Sequence, residues 1–277
     1  MNPNQELEYF GKLILALEPW LDQVVIVGGW AHRLYRLDPR SQQVDYPSLT
    51  TLDIDVAMPP KVEMKGQSIR DRMVDAGFKE EFLGDAHPPA THYHFEAVEG
   101  GFYAEFLSPL TGSDIDRKGQ PKLTADVGGI SSQLLRFIDL LLVAPWMIQV
   151  DGTKGSGFAA KKSLQIANPA AFLAQKILIS DQRDRRDRAK DILYIHDTIE
   201  IFGANIPVLQ TEFRRLIRPK LSRNQLRAIQ GAADTLFGDL NDDIREAAQL
   251  PIPRALTPGA IRETCKAGLQ QVFGLTQ

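Results

Sequence analysis

The sequence predicts an α+β fold: a mixed sheet with flanking helices, followed by a helical C-terminal domain. Three observations predict it. Leu52 to Met58 alternates, with Leu52, Ile54, Val56 and Met58 on one face and Asp53, Asp55 and Ala57 on the other. Two further strand-like runs, His92 to Val98 and Phe102 to Leu107, flank Glu99-Gly100-Gly101, a hairpin signal. From Asn168 onward, apolar residues recur at helical spacing almost to the end. The expected boundary divides the chain into residues 1-167 and 168-277.

In chain order, Leu7 to Leu21 repeats apolar residues at helical spacing and predicts an amphipathic opening helix. Val24 to Val27 is a short β-branched run ending at Gly28-Gly29, and Trp30 to Leu37 reads as a helix after that turn. Polar, Pro-containing sequence leads to the Leu52 strand, which Pro59-Pro60 stops. Ser68 to Ala76 predicts a helix closed by Gly77, with a strand beginning at Phe78. Gly112 to Gly129, rich in Gly, Asp and Lys, reads as a long loop. A strand is expected around Ser163 to Ile166, and helices near Ala170 to Ser180, Arg186 to Phe202, Val208 to Ile217 and Gln225 to Phe237.

The 277 residues are 43% hydrophobic and 24% charged, enough to bury a sizeable core, and the net charge of -3 supplies no overall field for a polyanion. Cys265 is the only cysteine, which excludes an internal disulfide, a multi-cysteine zinc site and a Cys-x-x-Cys redox pair, and fits a reducing compartment. The N-terminal residues lack the order of a secretory signal. The most apolar stretch, Leu134 to Val150, is broken by Arg136, Asp139 and Pro145. The expectation is a cytoplasmic protein with no membrane partner.

The chemistry concentrates on the alternating strand. Carboxylates at i and i+2 point the same way, so Asp53 and Asp55 can share one Mg²⁺ or bridge two. Hard divalent cations take oxygen ligands, and a two-metal phosphoryl site calls for a third acid. Glu105, an acid between bulky apolar neighbours, is the candidate; Glu96 and Glu99 lie in the same hairpin and are its alternatives. Gly28 and Gly29, lacking Cβ, let backbone amides approach a phosphate at the start of the following helix. Alone, an Asp-x-Asp strand is more often exposed alternation, and a Gly-Gly pair only a turn. The order strand, Gly-Gly, helix, Asp-x-Asp strand and acidic hairpin strand gives the combination its weight.

Val25-Ile26-Val27-Gly28-Gly29-Trp30-Ala31 followed by Thr51-Leu52-Asp53-Ile54-Asp55-Val56-Ala57 resembles the polymerase-β-type nucleotidyltransferase superfamily, closest in flavour to the bacterial AbiEii-like branch of toxin-antitoxin pairs. The resemblance implies that residues 1-167 form a nucleotidyltransferase-like α/β domain. It also implies a metal-dependent transfer of a nucleoside monophosphate from a nucleoside triphosphate such as ATP to an acceptor hydroxyl on tRNA, protein or a small molecule, with Mg²⁺ or Mn²⁺. Asp53, Asp55 and Glu105 would be catalytic and hold the metal, and Gly28 and Gly29 would bind the phosphates. Lys176 and the Arg188-Ala189-Lys190-Asp191 run are similar to the Lys and Lys-Asp pair of that branch, giving Lys176, Lys190 and Asp191 as nucleotide-binding candidates. The turn lacks the Ser of many superfamily members, which leaves phosphate binding there to backbone amides.

His32, one helical turn beyond the glycines, is a further nucleotide-binding candidate; a packed or capping histidine is the alternative. His92 and His94 share a strand face, but Mg²⁺ does not seek imidazole, so they read as surface or site-lining residues. Arg214, Arg215, Arg218, Lys220 and Arg223, with Arg227 beyond, form a basic run that could hold RNA phosphates; a solvated helix pair with counter-charges from elsewhere is its competitor. A glycosyltransferase using Asp-x-Asp, or a non-catalytic nucleotide- or RNA-binding protein of the same fold, are the rival readings.

Overall fold

The computed structural model describes residues 3–83, 90–95, 101–151, 161–250 and 254–275. The chain divides into two compact units, residues 1–31 with 50–167 and residues 32–49 with 168–277.

The first unit carries a mixed sheet with nine strands among the described residues. These are β1 (Val25–Val27), β2 (Asp53–Ala57), β3 (Phe78–Leu83), β4 (Ala90–Phe95), β5 (Tyr103–Pro109), β6 (Thr124–Val127), β7 (Ile130–Leu135), β8 (Trp146–Val150) and β9 (Lys162–Ile166). The spatial order is β3-β4-β5-β2-β1-β9-β8, and the sheet forks at β5. The start of β5 pairs antiparallel with β4, while its last residues, Leu107 to Pro109, run parallel to Gln133 to Leu135 of β7. β2 runs parallel to β5 and antiparallel to β1.

The helices of this unit are α1 (Pro3–Ala16), the start of α2 (Gly28–Leu34), α3 (Ile69–Asp75) and the single turn α4 (Ile138–Leu141). The opening helix stops short of the expected Leu21, since Pro19 falls within a 3-10 turn over Glu18–Trp20. Ser68 caps α3 by accepting from the Asp71 amide at 3.0 Å. Ile54, Val56, Ala104 and Phe106 are at most 1% exposed. The alternation read from Leu52 to Met58 therefore sorts the strand as expected, apolar side inward.

The expected loop over Gly112 to Gly129 holds β6. Gly128 and Gly129, at φ 67° and 80°, turn β6 into β7 as an antiparallel hairpin. β8 also went unanticipated: its alternately buried and exposed residues are hidden in sequence because Trp146, Met147, Ile148 and Val150 are all apolar. The hairpin turn expected at Glu99 to Gly101 falls mainly outside the described residues, as do Glu96 and Glu99; the antiparallel pairing it would join is present.

The second unit contains α5 (Pro169–Leu178), α6 (Arg185–Ile201), α7 (Ile206–Glu212), α8 (Arg223–Phe237), α9 (Asp242–Gln249) and α10 (Pro258–Phe273). Caps define their starts. Asn168 accepts from the Ala170 amide at 2.9 Å, and Asp184 from the Asp187 amide at 2.8 Å. Residues 32–49 belong here through long-range bonds: Gln42 donates to the Glu200 carbonyl at 2.7 Å, the Tyr46 hydroxyl to the Glu200 carboxylate at 2.6 Å, and Asn205 to the Arg40 carbonyl at 2.6 Å. No helix among the described residues is long and apolar enough to cross a membrane.

Candidate active site

Residues paired across neighbouring strands share a face, so the register states which side chains meet. Two rows cross the sheet. One is His94, Tyr103 and Asp53; the other is His92, Glu105, Asp55 and Val27, the residue before Gly28. Asp53, Asp55 and Glu105 therefore lie on one face of adjacent parallel strands. All three are half-buried, whereas the residues between them point into the core.

Each acid has its own local partner. Asp55 lies against Gly28, where an added Cβ would overlap its carboxylate oxygen and lie 3.0 Å from its Cγ. Asp53 accepts a hydrogen bond from the Thr51 hydroxyl. Glu105 pairs with the His92 Nε2, and the His92 ring stacks on Tyr103 at 4.2 Å between centroids. Burial pushes the Tyr103 phenol far above its ordinary range, and the charges of Asp53, Glu105 and Asp55 push it further. One phenol thus senses all three acids. Next to this pair, burial lowers the His94 imidazole while Glu81, 2.8 Å from its Nε2, opposes the shift.

Gly28 sits at φ 59°, backbone that side chains other than glycine seldom adopt. Gly29 is buried immediately behind it. This turn brings bare backbone next to the Asp55 carboxylate. The donor set suits a hard divalent cation: three carboxylates on one face and no sulfur. The absence of a Cβ at Gly28 lets the Asp55 carboxylate lie directly against the backbone of the turn.

The other sequence candidates fall in the second unit. His32 is fully buried among Tyr35, Phe172 and Tyr194, with its ring centroid 5.0 Å from that of Tyr194. Neither ring nitrogen has a hydrogen-bond partner among the described residues. Burial depresses its pKa to about 4, despite the opposing charge of Asp197. Lys176 and Asp191 are both 5% exposed and bond to each other at 2.6 Å. Asp191 also accepts from Arg183 at 3.2 Å. Lys190 is half-buried, its ammonium 5.8 Å from the Tyr194 ring centre. His32, Lys176 and Lys190 thus gather around Tyr194, and Asp191 is held beside them by Lys176.

Sequence reasoning missed a cluster on α6: the ligand atoms of His196, Asp197 and Glu200 lie within 4.8 Å of one another. Asp53, Asp55 and Glu105 are not drawn into so tight a group. The two carboxylates on α6 already face a cation, because Arg254 pairs with Asp197 and lies 3.6 Å from Glu200, to which Tyr46 also donates. That charge balance fits a buried structural network. The i to i+4 spacing of His196 and Glu200 was visible in sequence, but the arrival of Arg254 and Tyr46 was not. Thr51 and Tyr103 likewise depend on partners that the sequence does not show, and His92 reads in the sequence as a surface or site-lining residue.

Residues 10–215 match a protein family described as nucleotidyltransferase. The chain matches no curated protein. Among solved structures, it is similar to an antigenic nucleotidyltransferase-like protein from Paracoccidioides brasiliensis, at 16% identity over 88% of this chain and 92% of that one, with a TM-score of 0.40.

Proposed function

The chain belongs to the nucleotidyltransferase family that residues 10–215 match, and from that premise we propose that it moves a nucleoside monophosphate from a nucleoside triphosphate to an acceptor hydroxyl, using the acids on β2 and β5. The observation that carries the reading is the placement of Asp53, Asp55 and Glu105 on one face, with Gly28 against Asp55. We read the AbiEii-like branch as its nearest flavour on the Gly28-Gly29 and Asp53-Ile54-Asp55 motifs.

In this reading Asp53, Asp55 and Glu105 hold Mg²⁺ or Mn²⁺. When bound, such an ion neutralises triphosphate charge and steadies the in-line displacement. The backbone at Gly28 and Gly29 grips the phosphate oxygens, and a side chain at Gly28 would push the Asp55 carboxylate out of place. Thr51 fixes the orientation of Asp53, and His92, braced by Tyr103, fixes that of Glu105. Glu105 draws the proton from the acceptor hydroxyl. That oxygen bonds to the α-phosphorus, the bond from the α-phosphorus to the bridging oxygen breaks, and pyrophosphate leaves with the electron pair. Lys176 and Asp191 satisfy each other and hold α5 to α6.

Incubating the protein with α-labelled nucleoside triphosphates, labelled nucleotide sugars, Mg²⁺ or Mn²⁺ and total RNA, protein extract or hydroxylated small molecules tests the proposal. Metal-dependent nucleotide label on an acceptor, with stoichiometric pyrophosphate, is the expected result. Sugar transfer, or nucleotide binding without product under every condition, overturns it.

A further inference from the structure

Between Glu212 and Asp234 the chain carries Arg214, Arg215, Arg218, Lys220, Arg223 and Arg227 and no acid. A run of like charges this long often serves as an interaction surface, and it repels itself unless counter-charges from other segments meet it. They do not: all six residues are exposed, and none forms an ion pair among the described residues. Three arginines at α6 and α9, Arg185, Arg188 and Arg245, do have such partners, pairing with Glu246, Asp243 and Asp242.

Two local features add to the charge. Phe213–Ile217 is a π-helical turn, a rare form that is frequent at functional sites. Arg223 occupies the first position of α8, whose first turn has no acid, so its charge opposes the helix dipole instead of complementing it. Beside this turn opens a cavity of 310 Å³. Arg214 and Arg218 line it together with Phe213, Ile229 and Phe273, and the Gln230 amide adds a polar group. The rings of Phe213 and Phe273 lie 4.7 Å apart at 52°.

We propose that this face of the second unit binds single-stranded nucleic acid. Guanidinium groups of Arg214 and Arg218 take consecutive phosphates, and one unstacked base enters the cavity between them and the phenylalanines. The unpaired cations match a polyphosphate chain. The mixed lining, Arg214, Arg218 and Gln230 alongside Phe213 and Phe273, suits a base that has left its stack, which selects single strands over duplex. This site goes beyond the transfer reading and needs neither nucleoside triphosphate nor the acids of the sheet.

The test uses the full chain without nucleotide and follows the anisotropy of labelled 12-mers: oligo-U RNA, oligo-T DNA, an RNA duplex, an abasic strand and a polyglutamate of equal length. The expected result is salt-dependent binding of single strands, with duplex, abasic strand and polyglutamate at least about tenfold weaker. The two RNA and DNA arms show which sugar is preferred; binding of either supports the site. Arg214→Gln/Arg218→Gln, altering two exposed residues, should weaken binding at least about tenfold and reduce the slope of log K against log salt by about 1.4. Absence of single-strand binding at low salt overturns the proposal. So does equal binding of the abasic strand, duplex or polyglutamate, or an unchanged double variant.

Discussion

Gly28 is held by two independent constraints: its φ of 59°, and the Asp55 carboxylate occupying the place of a Cβ. Gly28→Ala should therefore cost about 1–2 kcal/mol from the backbone alone, and should also displace Asp55. Urea unfolding and the transfer rate both report this, and a variant with unchanged stability and rate contradicts it. His32 makes a different prediction at the same scale. Its folded pKa of about 4 lies below the ordinary imidazole value of 6.5, so the unfolded chain binds the proton more readily. The stability His32 contributes is complete above pH 6.5 and is lost as pH falls from 6.5 toward 4, by about 3 kcal/mol. Urea unfolding at pH 7.5, 6 and 5 should show the loss, and His32→Leu should flatten it by about one proton; equal slopes in the two proteins remove the assignment.

The elements show which features sequence makes legible. Strand alternation is a local property, so Asp53 and Asp55 on one face, with Ile54 and Val56 buried, could be read directly. Register is not local. That His92 meets Glu105 and Tyr103 lies beside Asp53 depends on β4, β5 and β2 being neighbours. β6 was hidden because Thr124, Ala125 and Asp126 give little apolar signal, although Gly128-Gly129 supplied the turn. The polar, Pro-containing stretch after Leu37 reads as a linker, and only the bonds that join Arg40, Gln42 and Tyr46 to Asn205 and Glu200 reveal where it belongs. Caps are local again. Ser222 accepts from the Gln225 amide at 3.2 Å while the Gln225 side chain accepts from the Ser222 amide at 2.7 Å, a reciprocal box that starts α8. Ser222→Ala should lower stability by about 1 kcal/mol in urea unfolding; no loss would show that the box contributes nothing to α8.

At the scale of the whole molecule, a net charge of -3 conceals opposite local fields. The first unit gathers three acids on one sheet face, and the second carries the run from Arg214 to Arg227, six exposed cations with no acid between them. Total charge therefore says nothing about either site. Losing charge from the acidic face should affect chemistry and spare the fold, because Asp53 and Asp55 are half-buried on the polar side while the packing beneath them is supplied by Ile54, Val56 and Phe106. The most direct measurement compares wild-type protein with Asp53→Asn/Asp55→Asn for release of pyrophosphate and label transfer from an α-labelled triphosphate in Mg²⁺ or Mn²⁺, with thermal unfolding recorded on the same samples. The expected result is a fall in rate of at least about a hundredfold at an unfolding temperature close to that of the wild type. A well-folded double variant that transfers nucleotide at the wild-type rate would contradict the assignment of these acids.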